Sequence, residues 1–485
     1  MDYLVLNLEK TKSKYSFVKN LFSPFDIGIP LFESSDKTIE EIYYFRWHTF
    51  CKHIKETENG YVITEFFPLV PWAGKYNTIS CPAGHHIYEG RWLYDKKYLD
   101  SYCRFWFSHE GEPRRYSFWA ADAIFAAAKI SGDFSVAKEL YESLKQNFFK
   151  WQQEKELPNG MYCQIDDRDG MEYSIGGSGI RPTINSYMYG DAIALLKIAK
   201  LLGESADEKF FREKAEQLKK DINTKLWDES AQFYKTASAE NEKLVDVREL
   251  VGYVPWYFNI PDEEKSVAWK FLNDENFFAA PFGPTTAERN HRDFMKEFDH
   301  ECLWNGPSWP FATSQTLTAL GNLLCNYDKS NMRKSDYFNL LKQFASCHYI
   351  EEDGVKRPFI DENLDPFTGR WLARSILRKW FESGFQRERG EDYNHSTFCD
   401  LVLSGLVGIR CRDDDVLVIN PLFEEENLDY MCADGVLYHG NRICVLFDKS
   451  GKKYNMGKGF SVYLNGEKVF ESPKICRFEF DLGGK

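Results

Sequence analysis

Two short segments of this 485-residue chain concentrate carboxylates where glycine and proline shape the backbone. In Gln164-Ile165-Asp166-Asp167-Arg168-Asp169-Gly170-Met171-Glu172-Tyr173-Ser174, four carboxylates fall within seven residues. They repel one another, so any that is buried has its pKa raised and can hold a proton as a general acid. In the second segment, Phe359 to Trp371, the acid pair Asp361-Glu362 precedes Asp365-Pro366-Phe367-Thr368-Gly369. That Asp-Pro-x-Thr-Gly turn fixes the backbone and can hold Glu362 toward a cavity. One carboxyl that gives a proton and one carboxylate that takes a proton suffice to cleave a glycosidic bond. Taken alone, each segment also reads as an ordinary acidic turn, the second one stabilised by Asp365.

Aromatic residues make up 16% of the chain, with 13 Trp, 27 Tyr and 39 Phe. Many stand beside Gly, Pro, Arg and Glu in loop-like stretches such as YEGRWLY, RRYSFWAAD and ECLWNGPSWP, rather than in apolar stripes. Aromatic faces in such loops suit the C–H faces of a pyranose, whose hydroxyls need polar partners. Trp92, Trp304 and Trp309 are the candidate walls, with Trp119 a further pocket candidate. The other candidates are His85, Glu89, Arg91, Asp122, Asp169, Arg181, Asn185 and His395, with Gly306 in the Trp segment. Arg248 and Glu249 offer hydroxyl-binding forks, with a buried ion pair between them as the plain alternative. His85-His86 and His395 lack metal-ligand spacing, so neither a catalytic metal nor another cofactor is expected.

The elements that must position these residues are mostly helical. Apolar residues recur at helical spacing from about residue 36 to residue 405. Ile39, Ile42, Tyr43, Trp47, Phe50 and Ile54 share one face after the capping residues Ser34, Ser35 and Asp36. Further helices are expected over 117–130, 133–151, 187–202, 208–226, 311–324 and 336–348, with Gly203 stopping one of them. Helix pairs alternating with loaded loops, without βαβ alternation, predict a mainly α fold, a helical toroid, over 1–405. From 406 to 485 the texture changes to short β runs at 416–419, 436–438, 443–447 and 460–464. Asn465-Gly466 is a strong hairpin signal there, and a small C-terminal β-domain is expected.

Composition excludes several partners. The formal net charge of -13 repels a phosphate backbone or an anionic bilayer, which argues against nucleic acid and membrane. No run of 18 apolar residues suggests a membrane span, and the first residues lack the order of features of a signal peptide. Twelve Cys scattered singly, with no CxxC, suggest reduced thiols and a cytoplasmic protein. The oligomeric state is not legible.

Together with Trp304-Asn305-Gly306-Pro307-Ser308-Trp309, the two acidic segments give the chain a family resemblance. It resembles the six-hairpin (α/α)6-barrel glycosidases, nearest to family-63 glycoside hydrolases of the mannosylglycerate and glucosylglycerate hydrolase group, and more distantly trehalases. Those enzymes have a Trp-x-Gly-Pro-x-Trp segment lining the sugar site, matched by Trp304–Trp309. Their acid lies in Gly-x-Asp-x-Ser, which here reads Gly170-Met171-Glu172-Tyr173-Ser174. Their base is a Glu before an Asn-x-Asp/Asn-Pro-x-Thr-Gly stretch, matched by Glu362–Gly369. The resemblance spans roughly residues 80 to 410, with the three motifs in the family's order. It implies a carbohydrate substrate, an inverting hydrolysis, Glu172 as acid and Glu362 as base. Glu replaces the family's usual Asp at 172, which keeps Asp169 and Asp166 open as alternative acids. The same toroid hosts sugar epimerases and glycoside phosphorylases. The two acidic loops argue against the first, and Glu362 in the base position against the second.

Overall fold

Local sequence explains where the helices begin and end. In the computed structural model, which describes residues 3–17, 22–108, 110–380 and 389–483, Asp36 opens helix Lys37–Lys52 by accepting from the amides of Thr38 and Ile39. Pro182 and Pro310 start Pro182–Leu202 and Pro310–Asn326, the first-turn position where a missing N–H costs nothing. Gly203, at φ 78°, ends the former in the left-handed region.

The expected helices are present with shifted limits. The stretch expected over 133–151 divides at Leu140 into Ser135–Glu139 and Tyr141–Lys155. The stretch expected over 208–226 is Ser205–Asp221 followed by a π-helical turn, Ile222–Leu226. Pro182–Leu202 packs between Ser205–Asp221 and the alanine-rich Ala120–Ser131, while Lys334–Ser346 packs against both Pro310–Asn326 and Lys37–Lys52. Their shared interior is dense with aromatic side chains: Trp47, Trp92, Trp106, Trp119, Trp151, Trp256 and Trp269 are all buried. Among the described residues no helix is long and apolar enough to cross a membrane, and all twelve cysteines are free thiols.

Every strand pairing among the described residues is antiparallel. A five-stranded sheet runs in the order Leu31–Ser34, Tyr430–Tyr438, Asn441–Asp448, Gly459–Leu464, Glu467–Ser472. Asn465 and Gly466, at φ 52° and 88°, form the tight turn joining its last two strands. The C-terminal sheet is therefore present, but residues 406–485 do not build it alone. Its edge strand comes from residues 31–34, and the Asp434 carboxylate accepts from the amides of Leu4, Val5 and Leu6.

Candidate functional site

Backbone hydrogen bonds knit the three motifs together. Glu172 follows a 3-10 turn, Asp166–Asp169, that Gly170 closes at φ 70°. The Trp304 amide donates to the Glu172 carbonyl at 3.1 Å. Ser308 and Leu364 exchange amide–carbonyl bonds at 2.9 and 2.8 Å, joining the Trp segment to the Glu362 segment. Asp365 holds its turn by accepting from the amides of Phe367 and Thr368. Trp304–Trp309 is thus a brace between the two acidic loops. Its two indoles stack at 4.4 Å and 17°.

Glu172, Trp309 and His395 face one cavity of about 360 Å³, with Glu65, Arg389 and Tyr393. Glu172 keeps some accessible surface because it faces this space, yet protein surrounds it closely. Burial, with Asp167, Glu362 and Glu65 nearby, pushes its carboxyl up to about 8. Glu362 lies behind the cavity wall, fully buried. Its Oε1 accepts from Nε and Nη2 of Arg389, both at 3.2 Å, and its Oε2 lies 3.1 Å from the Cys302 thiol. Burial and Glu362 push that thiol well up, so it donates to the carboxylate. Glu301 meets the same guanidinium at 2.5 Å. Behind Glu362, burial raises Asp361 to about 7.

Glu65 and Arg389 stood in no expected motif, and Glu301, Cys302 and Tyr393, although close to expected residues, were not singled out. Tyr393 donates to Glu65 at 2.5 Å, and burial raises the Glu65 carboxyl to about 8. Burial lowers the His395 imidazole well below its usual range, and neither of its ring nitrogens has a hydrogen-bond partner among the described residues.

The other expected binders do not line this cavity. His85 is buried against Trp119 and Phe311, with both ring nitrogens unpartnered among the described residues. Glu89 accepts from the amides of Phe398, Cys399 and Asp400, and Asp400 in turn accepts from Arg91 and Trp92. Asp122 accepts from Tyr88 and, with Arg91, lines a separate polar cavity. Asp169 and Arg181 form a fully buried ion pair at 2.6 Å, which Thr183 joins. Asp166 accepts from the Ser178 hydroxyl. Asn185 clamps the backbone of Tyr162 and Arg181. Arg248 pairs with Glu288 at 2.7 Å rather than with Glu249, which accepts from the Gly176 amide. A side chain at Gly306 would strike Phe294 and Met295. Among the described residues, the one His/Cys/Asp/Glu group with metal-ligand spacing is Cys432, Asp434 and Cys444 in the C-terminal sheet.

Comparison with known proteins places the chain in a family. Residues 75–396 match the family model of the mannosylglycerate hydrolase MGH1-like glycoside hydrolase domain. A solved chain described as a sialidase is 38% identical with a TM-score of 0.91, over 98% of this chain and 45% of that one. This chain therefore spans less than half the length of that relative. The GH63 mannosylglycerate hydrolase from Thermus thermophilus, in complex with glucose, shares the fold at a TM-score of 0.52 and 13% identity, over 74% of this chain and 98% of that one. An uncharacterized Borreliella burgdorferi protein is 26% identical over 137 residues, 28% of this chain and 29% of its own length. With residues 75–396 of 485 matched, the chain belongs to the MGH1-like glycoside hydrolase family.

Proposed function

We propose that this chain is an inverting exo-glycosidase on an (α/α)6 six-hairpin toroid, with Glu172 as general acid and Glu362 as general base. The observation that carries the reading is a contrast between two carboxyls. Glu172 has no cation beside it among the described residues and is pushed up to about 8, the condition of a proton donor at neutral pH. Glu362 faces the Arg389 guanidinium and the Cys302 thiol, two donors that orient a carboxylate as a proton acceptor. Both loops are braced by one Trp segment; Glu172 and Trp309 line the cavity, and Glu362 sits directly behind Arg389 and Cys302, which line it.

In this reading the sugar enters the cavity with a C–H face toward Trp309. Glu172 protonates the leaving oxygen. Glu362 takes a proton from a water that attacks the anomeric carbon from the opposite face, so the product anomer is inverted. The twelve free thiols suit a reducing compartment.

The test is a screen of aryl glycosides and disaccharides of glucose, mannose, rhamnose and arabinofuranose, with product anomers followed by NMR. Release of the inverted sugar is expected. A retained anomer would overturn the mechanism, and a sugar phosphate formed on adding phosphate would make the protein a phosphorylase.

A further inference from the structure

Three aromatic rings at the cavity mouth have no part in the chemistry described above. Tyr173 follows Glu172 directly and holds φ at 60°, the left-handed region that a residue with a Cβ enters at a cost. Its ring packs against Phe298, at 4.9 Å and 35°, and against His300, at 5.0 Å and 43°. Tyr173 is 43% exposed and Phe298 is 39% exposed. His300 also lines the cavity, so the patch runs unbroken from the surface to the site.

Neither plain explanation accounts for this patch. Core rings do not keep two-fifths of their surface in water. Isolated surface rings do not gather into one face continuous with a cavity.

The position decides the occupant. A general acid protonates the oxygen of the leaving group, so the leaving group lies on the acid's side of the scissile bond. Tyr173 follows Glu172 and touches His300, which lines the cavity beside Glu172, so the patch adjoins the side on which that group leaves. The exposed face of such an aromatic ring offers stacking to the C–H face of a sugar ring. It offers little to a small polar aglycone, which has no such face.

We infer that Tyr173, Phe298 and His300 form a leaving-group subsite for a sugar ring, so that the substrate is an oligosaccharide or glycan chain rather than a glycoside of a small polar aglycone. This rests on the reading of Glu172 as the acid.

The experiment compares methyl glycosides, glyceryl glycosides, disaccharides and trisaccharides of glucose, mannose and rhamnose in the wild-type chain and in Tyr173→Ala/Phe298→Ala. The wild type is expected to show kcat/KM at least about tenfold higher for a trisaccharide than for the methyl or glyceryl glycoside of the same sugar. In the double variant that preference should fall about tenfold, and Tyr173→Phe, which keeps the ring, should retain it. A wild type that prefers the glyceryl glycoside overturns the inference and leaves the hydrolase reading intact. A double variant that loses activity on every substrate in the same proportion does likewise. Cleavage of nothing in the panel overturns both.

Discussion

The Arg389 guanidinium reaches one oxygen of Glu362 from two nitrogens, Nε and Nη2, each at 3.2 Å, while Cys302 holds the other oxygen at 3.1 Å. Glu172 has no such partner among the described residues. Removing one carboxylate should therefore differ in kind from removing the other. Glu172→Gln and Glu362→Gln should each lower kcat by about 10²–10⁴, the usual contribution of general acid–base catalysis. Glu172→Gln should keep more activity on nitrophenyl glycosides than on disaccharides, because a nitrophenolate leaves with little protonation. Glu362→Gly should regain turnover with azide in the vacated space. Near-normal kcat in Glu362→Gln would remove the base from the mechanism.

The pH profile tests the acid independently. A general acid works only while protonated, and burial raises Glu172 to about 8. Its protonated fraction is high at neutral pH and falls as pH rises through about 8. Above that point kcat/KM should drop about tenfold per pH unit. Glu65 titrates in the same range, so the two must be separated by substitution. Glu65→Gln should keep the alkaline limb. Glu172→Gln, assayed on a nitrophenyl glycoside, should lose it. The opposite pattern would move the acid to Glu65.

The sequence makes the local parts of this site legible and hides the rest. Glu172, Glu362 and the Trp304–Trp309 segment lie within short motifs whose turn residues fix their own backbone, so chain order alone nominates them as candidates. Glu65 and Arg389 carry no local pattern, and Cys302, though beside the Trp segment, has no role written there. They meet only because the tertiary fold brings chain positions more than 300 residues apart to one cavity. The same limit applies to the C-terminal sheet. The tight turn at Asn465-Gly466 is written locally, whereas strand Leu31–Ser34 finds its partner in Tyr430–Tyr438. Local chemistry also cannot separate a charge used for binding from one spent on structure. Arg248 has Glu249 beside it in sequence, yet pairs with Glu288.

Asp169 shows that difference most clearly. It stands three residues before Glu172, and in sequence it is an equal candidate for the acid. In the fold its carboxylate meets Arg181 at 2.6 Å, with both side chains wholly shielded from solvent. Removing one member of a buried pair leaves an uncompensated charge, at a cost of about 3–5 kcal/mol. Asp169→Ala should therefore lower the unfolding free energy by about that amount, measured by urea denaturation. Glu172→Gln should change it by less than about 1 kcal/mol, since no ion pair is broken. Full stability in Asp169→Ala would return Asp169 to the candidates for the acid.

Gly390 follows Arg389 directly, and its Cα faces the acid pair. A Cβ placed there would collide with the Asp361 carboxylate and come within 3.4 Å of the Glu362 Cγ. Both acids are buried, so neither can swing into solvent to make room. Gly390→Ala must then displace either the Asp361–Glu362 backbone or the segment carrying Arg389. In both cases the guanidinium and the base lose their register. Forcing a methyl into packed protein typically costs about 1–3 kcal/mol, so the variant should still fold, with a lower Tm. Catalysis is less forgiving, since a misplacement of about 1 Å at a reacting group can cost about 10² in rate. The expected outcome is a kcat about 10²-fold lower with KM little changed, because Trp309 and the cavity mouth lie outside the collision. The rate loss should match that of Arg389→Met, which breaks the same register without adding bulk. A Gly390→Ala enzyme with wild-type kcat would show that the position of Arg389 against Glu362 does not set the rate.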